Sequence, residues 1–426
     1  MHPLTEEQYA GVLRSVNRLA DDNSNIGTIS RLTEREIRSI LRPPDRVSTY
    51  PPAWVLALMR VRDIRNPLLD LWRFTQRILR SNTRLFWRNI MTVRVAINGF
   101  GRIGRLTFRA LVESGRTDVE VVGINDLGSA EANAHLLKYD SVHGVLPADV
   151  TVKDDVMNAG GNDIKVTSER DPSALPWGDL GVDVTYECTG IFASKEKASV
   201  HLDAGAKKVL VSAPASGADL TVVYGVNDDK LEAGHTVVSN ASCTTNCLSP
   251  VADTLNKLVG IEKGFMTTVH SFTGDQRTVD TLHSDLGRAR AASLNIIPAS
   301  TGAAKAVGLV LPELDGKLDG VAMRVPTPNV SVVDLCFNAK RKTTVEEINE
   351  AIKAASETDR LQGILGYTEL PLVSSDYNHS SYSSFFAAPE TKVMDGDFVR
   401  ILTWYDNEWG FSNRMSDTAV AMMNAK

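Results

Sequence analysis

Cysteine is scarce, with four residues (Cys188, Cys243, Cys247, Cys336) in 426. So few thiols, so widely spread, build no disulfide framework and lack zinc-ligand spacing; a reducing cytoplasm and no metal are expected. Long apolar runs are missing too. No segment approaches the run of about 18 apolar residues that a membrane span needs, and Glu6, Glu7, Asp21 and Asp22 interrupt any positive-then-apolar leader pattern. Lysine is absent from residues 1–90, which hold 15 Arg, 9 acids and only two of the chain's 30 glycines. Residues 91–426 carry 31 basic and 43 acidic residues. A compositional boundary near Met91 follows, and a chain of this length is expected to form two or more domains.

Beyond Met91, glycine marks the turning points. Val93-Arg94-Val95-Ala96-Ile97 is a β-branched run, and Asn98-Gly99-Phe100-Gly101-Arg102-Ile103-Gly104 follows it with G-x-G-x-x-G spacing. Gly99 permits the tight turn, Gly101 lets a pyrophosphate approach the backbone, and Gly104 lets a helix expected from Ile103 to Ser114 lie close to the strand. The N–H groups at that helix start, those of Arg102 and Ile103 among them, then face phosphate oxygens. A second strand, Val119 to Ile124, leads to Asp126, 22 residues past Gly104 and near the spacing of a ribose-binding acid. A carboxylate there accepts from ribose hydroxyls and repels a 2′-phosphate, so NAD is expected over NADP. Further strands are expected from Val182 to Glu187, Lys208 to Ser212 and Thr221 to Tyr224, with a helix from Ser194 to Ala204. The fold class is α/β, a Rossmann-type and largely parallel sheet. Its strand ends bring Thr189-Gly190 and Ser212 toward the nicotinamide half.

A thiol lies further on, where an extended stretch from His235 to Asn240 meets Ala241-Ser242-Cys243-Thr244-Thr245-Asn246-Cys247 and a helix expected from Thr244 to Val259. A cysteine on the first turn of a helix meets unpaired N–H groups and the positive end of the helix dipole, which favour thiolate over thiol. An isolated cysteine is more often a small buried hydrophobe. Cys188, Cys247 and Cys336 take that structural reading, whereas Cys243 is read as a nucleophile. Val330 to Leu335 alternates in the manner of a half-buried antiparallel strand.

Residues 91–426 resemble a complete phosphorylating glyceraldehyde-3-phosphate dehydrogenase. Three motifs in order carry the resemblance: Asn-Gly-Phe-Gly-Arg-Ile-Gly-Arg at Asn98 to Arg105, Ser-Cys-Thr-Thr-Asn at Ser242 to Asn246, and Trp-Tyr-Asp-Asn-Glu at Trp404 to Glu408. The resemblance implies a cofactor domain over 91–242, completed by 406–426 with a terminal helix from about Asn413, and an α+β catalytic domain with a mixed or antiparallel sheet over 243–405. It implies His270 as the base that shares a thiolate–imidazolium pair with Cys243, and Asn407 as the ligand of the nicotinamide carboxamide. Thr273 and Arg324 would hold the substrate phosphate; Ser242, Thr244, Thr301, Gly302 and Arg288 would hold the attacking one. Arg324 stands in an apolar strand where an unpaired guanidinium is costly and a ligand anion would satisfy it; a salt bridge within the sheet is the alternative. Arg288 lies near Arg277 and Arg290 in a loop-like segment, open to a solvated-face reading. Arg170 is placed against the adenine end. The substrates implied are glyceraldehyde 3-phosphate and inorganic phosphate, with a homotetramer as assembly and no nucleic acid or membrane partner.

This chain departs from the family pattern at Asn407-Glu408-Trp409-Gly410-Phe411, where many members have Asn-Glu-Thr-Gly-Tyr, and at Thr281-Leu282, where many NAD-specific members have Leu-Pro. The first change implies a tuning effect and the second some tolerance of NADP. Residues 1–90 fall outside the resemblance. They read either as translated upstream sequence before a native start at Met91 or as a partner-binding extension, with capping-box forms at Thr5-Glu6-Glu7-Gln8 and Thr33-Glu34-Arg35-Glu36 and a basic, aromatic-rich stretch from Leu68 to Ile90. Two other functions share the main features. One is the sister dehydrogenase of erythrose 4-phosphate; the other is a non-catalytic NAD-binding interaction protein.

Overall fold

The computed structural model describes residues 92–426, and the expectations for residues 1–90 and the start at Met91 lie outside them. Eleven strands lie in the first half of this region: β1 (Val93–Asn98), β2 (Val119–Asn125), β3 (Tyr139–Asp140), β4 (Gly144–Val145), β5 (Val150–Lys153), β6 (Val156–Ala159), β7 (Asn162–Thr167), β8 (Val184–Glu187), β9 (Lys208–Val211), β10 (Leu220–Thr221) and β11 (Val237–Ser239). Nine of them form one sheet in the order β10-β11-β9-β8-β1-β2-β7-β6-β5, and β3 pairs with β4 alone. Pairing is parallel from β10 through β7 and antiparallel from β7 to β5. The order reverses at β1, which lies between β2 and β8. A crevice therefore opens beyond the carboxyl ends of β1 and β8, where open α/β sheets bind ligands.

Sterics at that crevice explain its glycines. Gly99 has φ +91°, and a Cβ there would fall 2.7 Å from the Thr189 nitrogen. A Cβ on Gly104 would fall 2.2 Å from the Gly99 oxygen. Helix α1 (Arg102–Ser114) thus lies against the turn it follows, burying Leu106, Phe108, Ala110 and Leu111.

The second sheet is built from β12 (Ile261–Ser271), β13 (Ile297–Ser300), β14 (Leu318–Val325), β15 (Ser331–Ala339), β16 (Leu365–Thr368), β17 (Ser384–Ala387), β18 (Lys392–Met394) and β19 (Phe398–Tyr405). Their order is β13-β14-β12-β15-β19-β17-β16, with β18 on β19. It is mixed, with β12–β14 and β16–β17 parallel and the strand from Ser331 antiparallel to both neighbours, as its alternation predicts. Against this sheet lies the helix Cys243–Val259, whose Cys247, Leu248, Val251, Ala252 and Leu255 are fully buried. Each large apolar side chain sealed there contributes about 1.5–3 kcal/mol. Cys243, at its first position, touches the cores of both sheets.

Four of the boundaries that differ from expectation do so for a local reason. The helix expected from Ser194 to Ala204 is two short ones, Lys195–Ala198 and Val200–Asp203; the Ser199 hydroxyl donates to the Lys195 carbonyl, 2.7 Å away, at the break. The strand expected to run to Tyr224 stops at Thr221, because the Asn227 side chain donates to the Thr221 carbonyl and accepts from the Val223 N–H in place of a neighbouring strand. The nucleophile helix begins at Cys243 in place of Thr244, because Ser242 Oγ accepts from the Thr245 N–H at 3.0 Å. The last helix starts at Trp409 and not near Asn413, because Asp406 accepts from the Glu408 and Trp409 N–H groups. Phe411, Met415, Ala419 and Met422 of that helix join the core of the first sheet.

Candidate active site

The cofactor crevice is assembled from the β1 and β2 ends. Gly101 is the N-cap of α1 and supplies no side-chain cap, so the first N–H groups of the helix keep their capacity for an anion. A Cβ on Gly101 would meet nothing within 4 Å, which is the open approach a pyrophosphate needs. Asp126 is braced at the mouth by the Phe100 N–H at 2.8 Å and the Gly128 N–H at 2.9 Å, with further lone pairs left for ribose hydroxyls. The residues therefore fit a dinucleotide. The Arg102 guanidinium is tied to Glu408 and Asp140, which leaves its main-chain N–H as the group it presents at the helix start. Arg170 is exposed beside Glu169. Thr189 is held by Glu187, whose Oε1 accepts from its N–H at 2.8 Å, and the Ser212 N–H donates to the Glu187 carbonyl.

Asn407 is buried on the far side. Its Oδ1 accepts from both the Ser271 and Ser331 hydroxyls at 2.8 Å, which fixes the amide and directs its NH₂ away from them. Neither serine was singled out by the sequence.

Cys243 and His270 meet as expected, with Sγ 3.5 Å from Nε2. The cysteine is reached through Ala241, fully buried at φ +57°, a left-handed conformation that costs about 1–2 kcal/mol for a residue with a Cβ. Such outliers persist where surrounding structure over-determines them, and a nucleophile's turn is a common place. His270 lies on β12, paired with Arg324 on β14. Its Nδ1 is 2.7 Å from the Ser271 carbonyl oxygen and 2.8 Å from an Arg324 NH1. Only a protonated Nδ1 serves the carbonyl, and only a bare one serves the guanidinium.

Electrostatics differ from the expected ion pair. Burial pushes the Cys243 thiol up, against the opposing charge of Arg324 and the donors of Thr244. Burial, and then the Arg324 charge, push the His270 imidazole down to about 3. With these neighbours alone the pair is a thiol beside a neutral imidazole, which is the form a general base must have before it acts.

Tyr405 completes the pocket. Its hydroxyl bridges Thr244 Oγ1 at 2.7 Å and Thr268 Oγ1 at 2.9 Å, and its ring stands edge-on to His270 with centroids 5.9 Å apart. The sequence placed it in a motif but gave it no role.

The expected phosphate ligands divide into two groups. Arg324 has no carboxylate partner among the described residues, and its buried Nε has no hydrogen-bond partner, so the salt-bridge alternative fails. Ser242, Thr244, Thr301 and Gly302 gather at two helix starts, because Thr245 Oγ1 donates to the carbonyl of Ala303, first residue of the helix Ala303–Val310 that Gly302 caps. Arg288, by contrast, is engaged by Asp275 at 2.6 Å and Asp285 at 3.4 Å. Thr273 is half-buried just beyond β12. Among the described residues no three His, Cys, Asp or Glu side chains gather as a metal site, and no helix is long and apolar enough to cross a membrane.

Comparison with known proteins agrees with this arrangement. Residues 93–195 match the NAD binding domain of glyceraldehyde 3-phosphate dehydrogenase, and residues 242–407 match its C-terminal domain. The chain is 68% identical over 332 residues to the glyceraldehyde-3-phosphate dehydrogenase of Xanthobacter flavus, covering 78% of this chain and 99% of that one. It belongs to the glyceraldehyde-3-phosphate dehydrogenase family. A Cereibacter sphaeroides glyceraldehyde-3-phosphate dehydrogenase is 68% identical over the same length, and glyceraldehyde-3-phosphate dehydrogenase 1 of Bacillus subtilis is 57% identical over 331 residues, 78% of this chain and 98% of that one. The family match begins at Val93 and leaves the arginine-rich stretch outside it. NAD is the cofactor of the family's first domain, in accord with Asp126.

Proposed function

We propose that the chain oxidises D-glyceraldehyde 3-phosphate with NAD and inorganic phosphate to 1,3-bisphosphoglycerate, a reaction of glycolysis and gluconeogenesis, through a thioester on Cys243. The observation that carries this reading is the Sγ to Nε2 separation of 3.5 Å at the start of a helix. The substrate phosphate draws the Arg324 guanidinium, and His270 Nδ1 then donates to the Ser271 carbonyl, leaving Nε2 bare to take the thiol proton. Sγ attacks the aldehyde carbon, and the developing oxyanion is held by the Cys243 N–H and by the protonated His270. Bound NAD, held by Gly99 to Gly104, Asp126, Arg170, Thr189, Ser212 and Asn407, supplies the hydride acceptor. The protonated His270 gives its proton to that oxyanion to form the thiohemiacetal hydroxyl and takes it back as the carbon is oxidised, which leaves the thioester. Inorganic phosphate, held by Ser242, Thr244, Thr301, Gly302 and Arg288, displaces the sulfur and carries off the acyl group.

The proposed domains are 91–242 with 406–426 for the cofactor and 243–405 for the chemistry. A cytoplasmic homotetramer is part of the same reading. Leu282, Leu286 and Leu294, in the loop between β12 and β13, are 91%, 81% and 80% exposed, which supports burial against another copy. Light scattering giving a monomer mass would remove the tetramer. NADH absorbance with glyceraldehyde 3-phosphate and with erythrose 4-phosphate, each with and without phosphate, tests the reaction. Phosphate-dependent turnover of the triose is expected; preference for the tetrose, or none with either, would point to one of the two alternatives.

A further inference from the structure

A one-way chain of buried hydrogen bonds crosses the first sheet beneath the cofactor crevice. It starts at the Glu169 N–H, which donates to Asn125 Oδ1 at 2.8 Å. Asn125 Nδ2 donates to Asn98 Oδ1 at 2.8 Å, and Asn98 Nδ2 donates to Glu187 Oε2 at 2.7 Å. From the other side, Trp177 Nε1 donates to His201 Nδ1 at 3.2 Å, and His201 Nε2 donates to the same Glu187 oxygen at 2.9 Å. The second Glu187 oxygen holds the Thr189 turn. Asn98, Asn125, Trp177, Glu187 and His201 are all at least 95% buried.

Direction is forced at both ends. A backbone N–H and an indole N–H only donate, so His201 must carry its hydrogen on Nε2 and both asparagines must point their NH₂ groups toward Glu187. Two lines of donors converge, and an acceptor-only group has to stand between them. Glu187 is that group. The chain spans three strand spacings, roughly 14 Å, from Glu169 beyond β7, through Asn125 on β2 and Asn98 on β1, to Glu187 on β8 and the Thr189 turn; Asn125 and Glu169 immediately precede Asp126 and Arg170.

We propose that this chain positions the cofactor site, with Glu187 as its required acceptor, holding the adenosine and nicotinamide sides of the crevice in one register. The inference rests on the NAD reading above.

The isosteric change Glu187→Gln tests it, because the new NH₂ faces a donor. With that NH₂ toward Asn98, Asn98 flips, then Asn125, and the mismatch comes to rest at the Glu169 N–H, which cannot reverse; with it on the other side, the mismatch rests at the Thr189 N–H. Hydrogen exchange at the Glu169 or the Thr189 amide is expected to accelerate about tenfold or more and NAD to bind about tenfold more weakly, with ADP-ribose, which lacks the nicotinamide, weakened as well where Glu169 is the amide affected. The double variant N98D/E187Q moves the acceptor-only group one strand over at constant charge. It should keep Glu169 protection, Thr189 protection and ADP-ribose affinity native while NAD binding stays weakened, because the new carboxylate at position 98 draws the new NH₂ at position 187 and His201 still faces it. Unchanged exchange at both the Glu169 and Thr189 amides, with unchanged NAD affinity, in E187Q would overturn the proposal. Should E187Q not fold, the double variant decides, together with nitrogen NMR of the native protein, where a His201 carrying its hydrogen on Nδ1 would also overturn it. A native protein that bound neither NAD nor ADP-ribose would instead defeat the cofactor reading, while Glu169 exchange still reads the chain.

Discussion

Two helices of this molecule begin at the proposed cofactor and nucleophile sites, and they begin differently. The cofactor helix starts on Gly101 with no side chain spent on its N–H groups; the nucleophile helix starts on Ser242, whose oxygen already takes the Thr245 N–H. The first end is left open for a visiting anion. The second is partly closed, because the group it must support is Cys243 itself, fixed by the chain and backed by His270 and Arg324. The contrast teaches that a helix N-terminus is a general donor site whose user is decided by the cap.

Four changes break or sharpen the contrast. Cys243→Ser removes the resident group of the capped end, and steady-state kinetics should show turnover lost by several orders of magnitude while NAD affinity by calorimetry stays native. Loss of both would mean that the two ends are not independent. His270→Asn should lower kcat about 10²–10⁴-fold by removing the proton acceptor. The same variant carries a pH signature. With its imidazole held down to about 3 by burial and Arg324, against about 6.5 when unfolded, the native state binds fewer protons between those values. Stability therefore falls as pH drops from about 6.5 toward about 3, and acid titrations of unfolding should be flatter in the variant.

Gly101→Ser installs at the open end the cap found at the other. Helix stability should rise by only a few tenths of a kcal/mol, yet NAD should bind about tenfold more weakly because the hydroxyl competes with phosphate for the same N–H groups. Tighter NAD binding would sink the open-end interpretation. Ser242→Ala is the reverse operation and should cost about 1 kcal/mol in thermal or denaturant unfolding.

The sequence made the open end legible and the pocket around the capped end only partly so. Gly99, Gly101, Gly104 and Asp126 declare themselves because turn, approach and spacing are local properties, and the structure puts them together at one crevice. Cys243 and the helix behind it were legible for the same reason. Tyr405 was not, because its partners Thr244 and Thr268 lie 161 and 137 positions away. Nor was the contest between Ser271 and Arg324 for His270 Nδ1, which needs the parallel register of β12 on β14. Arg288 is a different case: the sequence matched its charge to a phosphate role but not to Asp275 and Asp285, acids of its own loop that engage it in the structure.

The helix Trp409–Asn424 closes the core of a sheet whose first strand is Val93–Asn98, and Arg116 reaches Asp417 across 301 positions. During synthesis the dinucleotide half emerges early but cannot seal its hydrophobic interior until the ribosome has finished the catalytic half. Leu106 and Ala110, which cluster with Trp409, therefore stay uncovered on the growing chain longer than in a domain made in one piece, an exposure of the kind that slows maturation and invites aggregation.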